Sequence, residues 1–267
     1  MAFLLAGWLQ TDWPFEFGLY YIYKNKYLHM AMQINNQLED YFAGTFIPNA
    51  AALRQKYRPI KAFIFDWDGV FNEGRKNIDG HSSFSEVDSM GINLMRFSHF
   101  QLNKQLPITA IITGENNLLA FSYAKRENFN AIYSKVSNKE KAIRHFCKQH
   151  KISPSEIMFV FDDVLDFSVA NIVGVRMMVK RDANPLLIEF AKKSRLVDYI
   201  TKHDGNNYAL REISELVLLI TNNFNQAVEH RMKFSEQYQQ YIGERKRTPT
   251  LSYIFEQNEI IPAENNL

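Results

Sequence analysis

The sequence predicts an α/β fold, a three-layer Rossmann-like arrangement in which a parallel sheet carries helices on both faces, and three observations predict it. Short β-rich apolar runs alternate along the chain with amphipathic stretches of helical length, the pattern of right-handed βαβ crossovers. The apolar runs are nearly continuous, as befits strands buried on both faces. Each longer run also ends abruptly in polar or acidic residues, and ligands of such sheets bind outside the carboxyl ends of the strands.

Taken in order, residues 1–30 are rich in apolar and aromatic side chains. Nothing basic precedes Phe3, and Asp12, Pro14 and Glu16 interrupt the run, so it fits neither a secretory signal nor a membrane span, while its aromatic content leaves a membrane-surface role as a minor alternative. It reads as an accessory strand or helix that packs on the domain, or as an upstream extension, Met30 and Met32 being alternative starts. From Met30 to Tyr57 the chain becomes polar and helical, with Leu38, Tyr41 and Phe42 at helical spacing, until Arg58-Pro59 stops it. Strands are expected at 61–68, 107–112, 157–161 and 175–179, with shorter ones at 131–133 and 197–201. Helices are expected near 88–103, 116–128, 138–150, 165–173, 186–194 and 207–224. From Asn222 the pattern is one polar amphipathic helix to about Arg245, followed by a loose tail. The organisation is thus an extension over 1–57, an α/β domain over 58–221, and a C-terminal helix and tail over 222–267.

Composition removes several function classes. The 267 residues carry 31 Lys plus Arg against 29 Asp plus Glu, a formal charge of +2, too small to be a footprint for nucleic acid. The lone Cys147 forms no intramolecular disulfide and no CxxC pattern exists, so a reducing cytoplasm is the expected location. The seven histidines make no HExxH or comparable ligand spacing. No Walker loop, dinucleotide-binding glycine pattern or nucleophile elbow is present, which removes the commonest NTPase, dehydrogenase and serine-hydrolase readings.

What remains is a rim of carboxylates. Asp66 and Asp68 are two apart, so on a strand they point the same way, and Gly69 lets the backbone approach a ligand closely. Asp162 and Asp163 end a second strand. Carboxylates together with a carbonyl oxygen suit Mg²⁺ better than a soft metal. Thr113 adds a hydroxyl, Gly114 an approachable N–H, and Lys139, at the start of a helix, a fixed positive charge; together these make a phosphate cradle.

These residues carry a resemblance. DWDGV at 66–70, ITG at 112–114, SNK at 137–139 and DDVLD at 162–166 resemble the four ordered motifs of the haloacid dehalogenase superfamily of phosphohydrolases. DGVFNEG, VDSMGI at 87–92, RDANP at 181–185 and ALRE at 209–212 are similar to its capless, tetrameric, KDO 8-phosphate phosphatase-like branch, which also includes the phosphatase-like domains of acylneuraminate cytidylyltransferases. The match covers roughly residues 61–220.

The resemblance implies a Mg²⁺-dependent phosphatase acting on a small sugar or sugar-acid phosphate, in a homo-oligomer. It implies that Asp66 is the nucleophile and Asp68 the general acid and base, with Mg²⁺ on the Asp66 carboxylate, the Asp68 carbonyl oxygen and Asp162. Asp163 and Asp166 would stand behind those ligands, Thr113, Gly114 and Lys139 would hold the phosphoryl oxygens, and Arg211 would contact the far end of the substrate. Simpler readings stand beside these: Asp163 and Asp166 as helix-start acids, and Arg211 paired with Glu215 at helical spacing. Phe161 and Glu115 depart from the family pattern, which usually has glycine and arginine there. They favour the alternative, a catalytically weak oligomerisation module of the same fold.

Overall fold

A computed structural model describes residues 39–80 and 82–263, and it centres on one nine-stranded sheet. The strands are β1 (Thr45–Phe46), β2 (Ala62–Phe65), β3 (Ile108–Ile112), β4 (Ala131–Ser134), β5 (Ile157–Phe161), β6 (Val175–Met178), β7 (Tyr199–Ile200), β8 (Leu251–Glu256) and β9 (Glu259–Pro262). Their spatial order is β1-β7-β6-β5-β2-β3-β4-β8-β9. All neighbouring pairs from β7 to β8 are parallel, as expected, and the two edge strands β1 and β9 are antiparallel.

Alternate residues of the central strands supply two cores. Phe63 and Phe65 of β2 face one layer, packed with Met158 and Val160 of β5. That layer holds α1 (Ala50–Tyr57), α2 (Glu86–Asn103) and α3 (Leu118–Arg126), and Ala62 and Ile64 face the opposite one. There α4 (Lys139–His150), the short α5 (Phe167–Ala170) and α6 (Pro185–Lys193) close the sheet through Ile143, Phe146, Val169 and Ala191. Helix α7 (Ala209–Ile220) returns to the first layer and packs along α2. Each fully buried Phe or Ile in these cores stabilises the fold by about 1.5–3 kcal/mol. The segment 66–85 between β2 and α2 contains no helix or strand among its described residues, so no cap is inserted there. No helix among the described residues is long and apolar enough to cross a membrane.

Two expectations need correction. The C-terminal region is two helices, α8 (Phe224–Met232) and α9 (Glu236–Lys246), not one. Phe234 takes a left-handed φ of 47° between them, and the Ser235 hydroxyl then accepts the Tyr238 N–H at 3.3 Å to start the second. Tyr238 and Tyr241 of α9 pack against Phe97 of α2, with ring centroids 5.0 and 5.3 Å away. Nor is the tail loose. It forms β8, which extends the parallel sheet beside β4 in the register Ile132↔Ser252, and β9 folds back on it. The β-branched and aromatic run LSYIF carries that strand.

The aromatic-rich segment 1–30 and Leu38 lie outside the described residues. Of the helix expected up to Tyr57, residues 50–57 form α1, capped by the Asn49 side chain, which accepts the Ala52 N–H at 2.9 Å. Residues 45–46 instead form the edge strand β1.

Candidate active site

The site lies where three adjacent central strands end. Asp66 follows β2, and its N–H still donates to Val160 O at 2.9 Å, so the residue is held by the ladder to β5. The chain then turns sharply, with the Val70 and Phe71 N–H groups both reaching Trp67 O. Gly69 sits at φ 88° in that turn, and a Cβ there would lie 2.0 Å from Asp162 Oδ2. Only glycine fits. The Asn72 carboxamide pins the loop by accepting the N–H groups of Gly69 at 3.3 Å and Gly74 at 2.8 Å.

One carboxylate oxygen from each of Asp66, Asp162 and Asp166 lies within 4.8 Å of the others, and all three residues are buried. Lys139 Nζ stands 2.7 Å from Asp66 Oδ1 and 2.7 Å from Asp166 Oδ1, and Arg181 donates to Asp162 Oδ2. Three acids thus meet two cations. Burial pushes Asp162 up to about 7, the Asp66 charge adding to it and Arg181 opposing. Burial, and then the Asp66 charge, also hold Asp166 well above the usual carboxylate range. Lys139 is pulled down by burial, but Asp66 and Asp166 outweigh this and hold its ammonium charged. Asp166 Oδ2 is buried and has no hydrogen-bond partner among the described residues. An all-oxygen donor set with surplus acid and an unpartnered carboxylate oxygen fits a hard divalent cation such as Mg²⁺.

Beside this cluster, Asp68 Oδ1 accepts the Ser82 hydroxyl at 2.5 Å and its Oδ2 lies 3.2 Å from Lys76 Nζ. Thr113 follows β3; its N–H reaches Tyr133 O at 2.9 Å and its buried hydroxyl accepts the Glu115 N–H at 3.4 Å. Gly114 and Glu115 are exposed at the rim. Phe161 points into the core, stacked on Phe159 at 5.5 Å and edge-on to Phe167 at 6.2 Å. It fills space and takes none from the cluster.

The remaining expected residues are placed differently. Asp163 is exposed and caps the short 3₁₀ turn Val164–Asp166 by accepting the Val164 N–H at 2.6 Å. That turn carries Asp166 back into the cluster, a closer position than expected for it. Arg211 sits in the first turn of α7 with its Nε 2.7 Å from Glu215 Oε1, and the structure does not bring it to the acids. Ser82, Lys76, Arg181 and Asn117 were not singled out as site residues. Only Arg181 had a sequence signal, through RDANP, because the others reach the site from loops whose path no periodicity encodes.

Comparison with known proteins is decisive for the family, although no family model matches the chain. The 3-deoxy-D-manno-octulosonate 8-phosphate phosphatase of Escherichia coli strain B is 30% identical over 184 residues, covering 67% of this chain and 90% of that enzyme. The chain belongs to the 3-deoxy-D-manno-octulosonate (KDO) 8-phosphate phosphatase family. Among solved members, the Moraxella catarrhalis phosphatase in complex with magnesium, phosphate and KDO superposes with a TM-score of 0.55 at 27% identity, covering 66% of this chain and 96% of that one. The Yersinia pestis phosphatase gives 0.54 at 25% identity, covering 65% and 89%. The haloacid dehalogenase-type α/β fold of these neighbours is the one expected from the four motifs.

Proposed function

We propose that this chain is a Mg²⁺-dependent phosphomonoesterase acting on a small sugar or sugar-acid phosphate, with KDO 8-phosphate the leading substrate. The observation that carries this reading is the convergence of Asp66, Asp162 and Asp166 around Lys139, with Asp68 two residues beyond Asp66. Membership of a family of sugar-acid phosphatases supports it.

In this reading Asp66 attacks phosphorus. An Asp66–phosphorus bond forms as the bond to the sugar oxygen breaks, and Asp68 donates the proton that the leaving oxygen needs. Asp68, now a carboxylate, takes a proton from water. The water oxygen bonds to phosphorus, phosphate departs and Asp66 is restored. Lys139, held between Asp66 and Asp166, keeps a fixed positive charge against the transferring group, and Thr113 with the Gly114 N–H completes its cradle. Asp66, Asp162 and the Asp68 carbonyl oxygen would hold Mg²⁺, and Asp166, whose Oδ2 is buried without a hydrogen-bond partner among the described residues, would stand behind them as a further oxygen donor. When bound, the ion neutralises charge that would repel Asp66 from a phosphate. No helix or strand of the described residues between β2 and α2 forms a cap, which accords with a homo-oligomer, a tetramer by the resemblance, in which a neighbouring subunit closes the pocket, and the lone cysteine accords with a cytoplasmic location.

The test is Mg²⁺-dependent phosphate release from a panel of sugar phosphates including KDO 8-phosphate, beside an Asp66→Asn control. Turnover lost in the control supports the reading. Folded, Mg²⁺-binding protein with no turnover above the control would overturn it and leave the oligomerisation module.

A further inference from the structure

Ser82 is buried, and three groups converge on its hydroxyl. The Trp67 indole Nε1–H donates to Ser82 Oγ at 3.0 Å, and the Asn117 Nδ2 donates to it at 2.8 Å. Both groups are donors only. The indole is locked by stacking on Phe71, ring centroids 4.6 Å apart. The orientation of the Asn117 amide is equally fixed, because its Oδ1 accepts the Leu119 and Ala120 N–H groups at the head of α3, at 3.0 and 3.4 Å. With both acceptor positions of Ser82 filled, its own hydrogen has one destination, Asp68 Oδ1 at 2.5 Å.

We infer that Ser82 is a positioning residue that commits Asp68 Oδ1 to accepting and so makes Oδ2 the oxygen that exchanges a proton during phosphate transfer; this rests on the phosphatase reading above. A carboxyl group whose Oδ1 is held as an acceptor carries its proton on Oδ2. That proton passes from Oδ2 to the leaving sugar oxygen as the phosphorus–oxygen bond breaks, and Oδ2 later takes the proton of the attacking water. The neighbour of Oδ2 is Lys76, 3.2 Å away on a partly exposed side chain that can shift toward an incoming phosphate. Ser82 has no such freedom. Its two fixed donors set the carboxyl plane, and proton transfer depends on that plane being correct to within a few tenths of an ångström.

The experiment compares kcat/KM for the best sugar phosphate with that for 4-nitrophenyl phosphate, in the wild type, Ser82→Ala and Ser82→Thr. The nitrophenolate leaves without a proton, so its kcat/KM, which ends at the first irreversible step, does not need Asp68 as an acid. Ser82→Ala should lower kcat/KM for the sugar phosphate about 10–100-fold and leave the aryl phosphate within about twofold. Ser82→Thr, which keeps the hydroxyl, should recover most of the loss. Equal loss on both substrates means a structural role only, and loss on neither means no role; either result overturns the inference. Should the alanine variant fail to fold, Ser82→Cys keeps the volume with a weak donor and must show the same split. A wild type lacking Asp66-dependent turnover removes the phosphatase reading itself. A wild type with such turnover and no split removes only the role of Ser82.

Discussion

Lys139 bridges Asp66 and Asp166, with its Nζ 2.7 Å from a carboxylate oxygen of each, and all three side chains are shut away from solvent. The bridge is possible because Lys139 is the first residue of α4 while Asp166 closes the 3₁₀ turn after β5, so two crossovers meet at one ammonium. Removing one partner of a buried pair leaves the other charged and unpaired, a larger loss than the pair's own worth. Lys139→Met should therefore cost about 3–5 kcal/mol of folding stability in the absence of metal, read by urea unfolding. Saturating Mg²⁺ should restore part of that stability, because an ion that binds only the folded state adds about 2.7 kcal/mol at a hundredfold excess over its Kd. Turnover should stay lost, since Mg²⁺ does not replace the fixed charge on the transferring group.

Gly69 tests how tightly the loop after β2 is built. A methyl group there would meet Asp162 Oδ2 at 2.0 Å and Arg181 Nη2 at 2.3 Å, on a backbone at φ 88°. Gly69→Ala should cost about 1–3 kcal/mol from the strained backbone alone. It should also abolish phosphate release, because the only relief is to push Asp162 out of the cluster. A variant with wild-type activity and stability would show that the turn is not held against Asp162.

Asp88 tests the junction between α2 and α7. Helix α7 begins at a left-handed Tyr208, which provides no side-chain cap, and Asp88 of α2 accepts the Arg211 N–H at 2.8 Å in its place. Burial pushes Asp88 up to about 6 from an ordinary 3.8, against the backbone bonds from Arg211 and Leu210 and the Arg211 charge. Because the folded value is the higher one, this residue's contribution to stability is full below pH 4 and is lost as pH rises through 6. Asp88→Asn keeps the acceptor and removes the charge. The variant should match the wild type near pH 4 and exceed it by about 1–3 kcal/mol above pH 7, measured as unfolding free energy across the range. Asp88→Ala, which loses the cap, should be less stable than Asp88→Asn at every pH by about 1 kcal/mol.

The alternation of strands and helices and the positions of Asp66, Asp68, Thr113, Lys139 and Asp162 are legible in the sequence because each lies beside a run whose apolar pattern is local, whereas the spatial order of the strands is not. Asp166 stands among the acids, as the resemblance implies, although nothing in DDVLD tells a helix-start acid from one that a 3₁₀ turn swings inward. Arg211 makes the contact to Glu215 that its helical spacing predicts, which leaves room for the substrate contact that the ALRE resemblance implies. Ser82 and Lys76 were invisible, because their approach to Asp68 depends on the path of a loop across fourteen and eight residues that no periodicity encodes. The C-terminal strand was missed for a related reason. A six-residue run can be read as a strand only if there is an edge for it to join, and that edge, β4, lies more than a hundred residues upstream.

That strand supports the last prediction. Tyr253 of β8 stacks on Tyr133 of β4 with ring centroids 4.9 Å apart and an interplanar angle of 19°, and meets His145 of α4 edge-on at 4.7 Å. Tyr133 OH in turn bonds His145 Nδ1 at 3.0 Å. The tail thereby covers a sheet edge that would otherwise offer unpaired backbone groups to another chain. Tyr253→Ala should cost about 3 kcal/mol, the removed ring area plus its aromatic contacts, and lower the melting temperature by several degrees. The acid cluster stands at the ends of β2 and β5, away from this edge, so kcat per folded molecule should not change. An equal fall in activity and stability would mean that the tail reaches the site, and an unchanged melting temperature would mean that β8 does not hold the sheet.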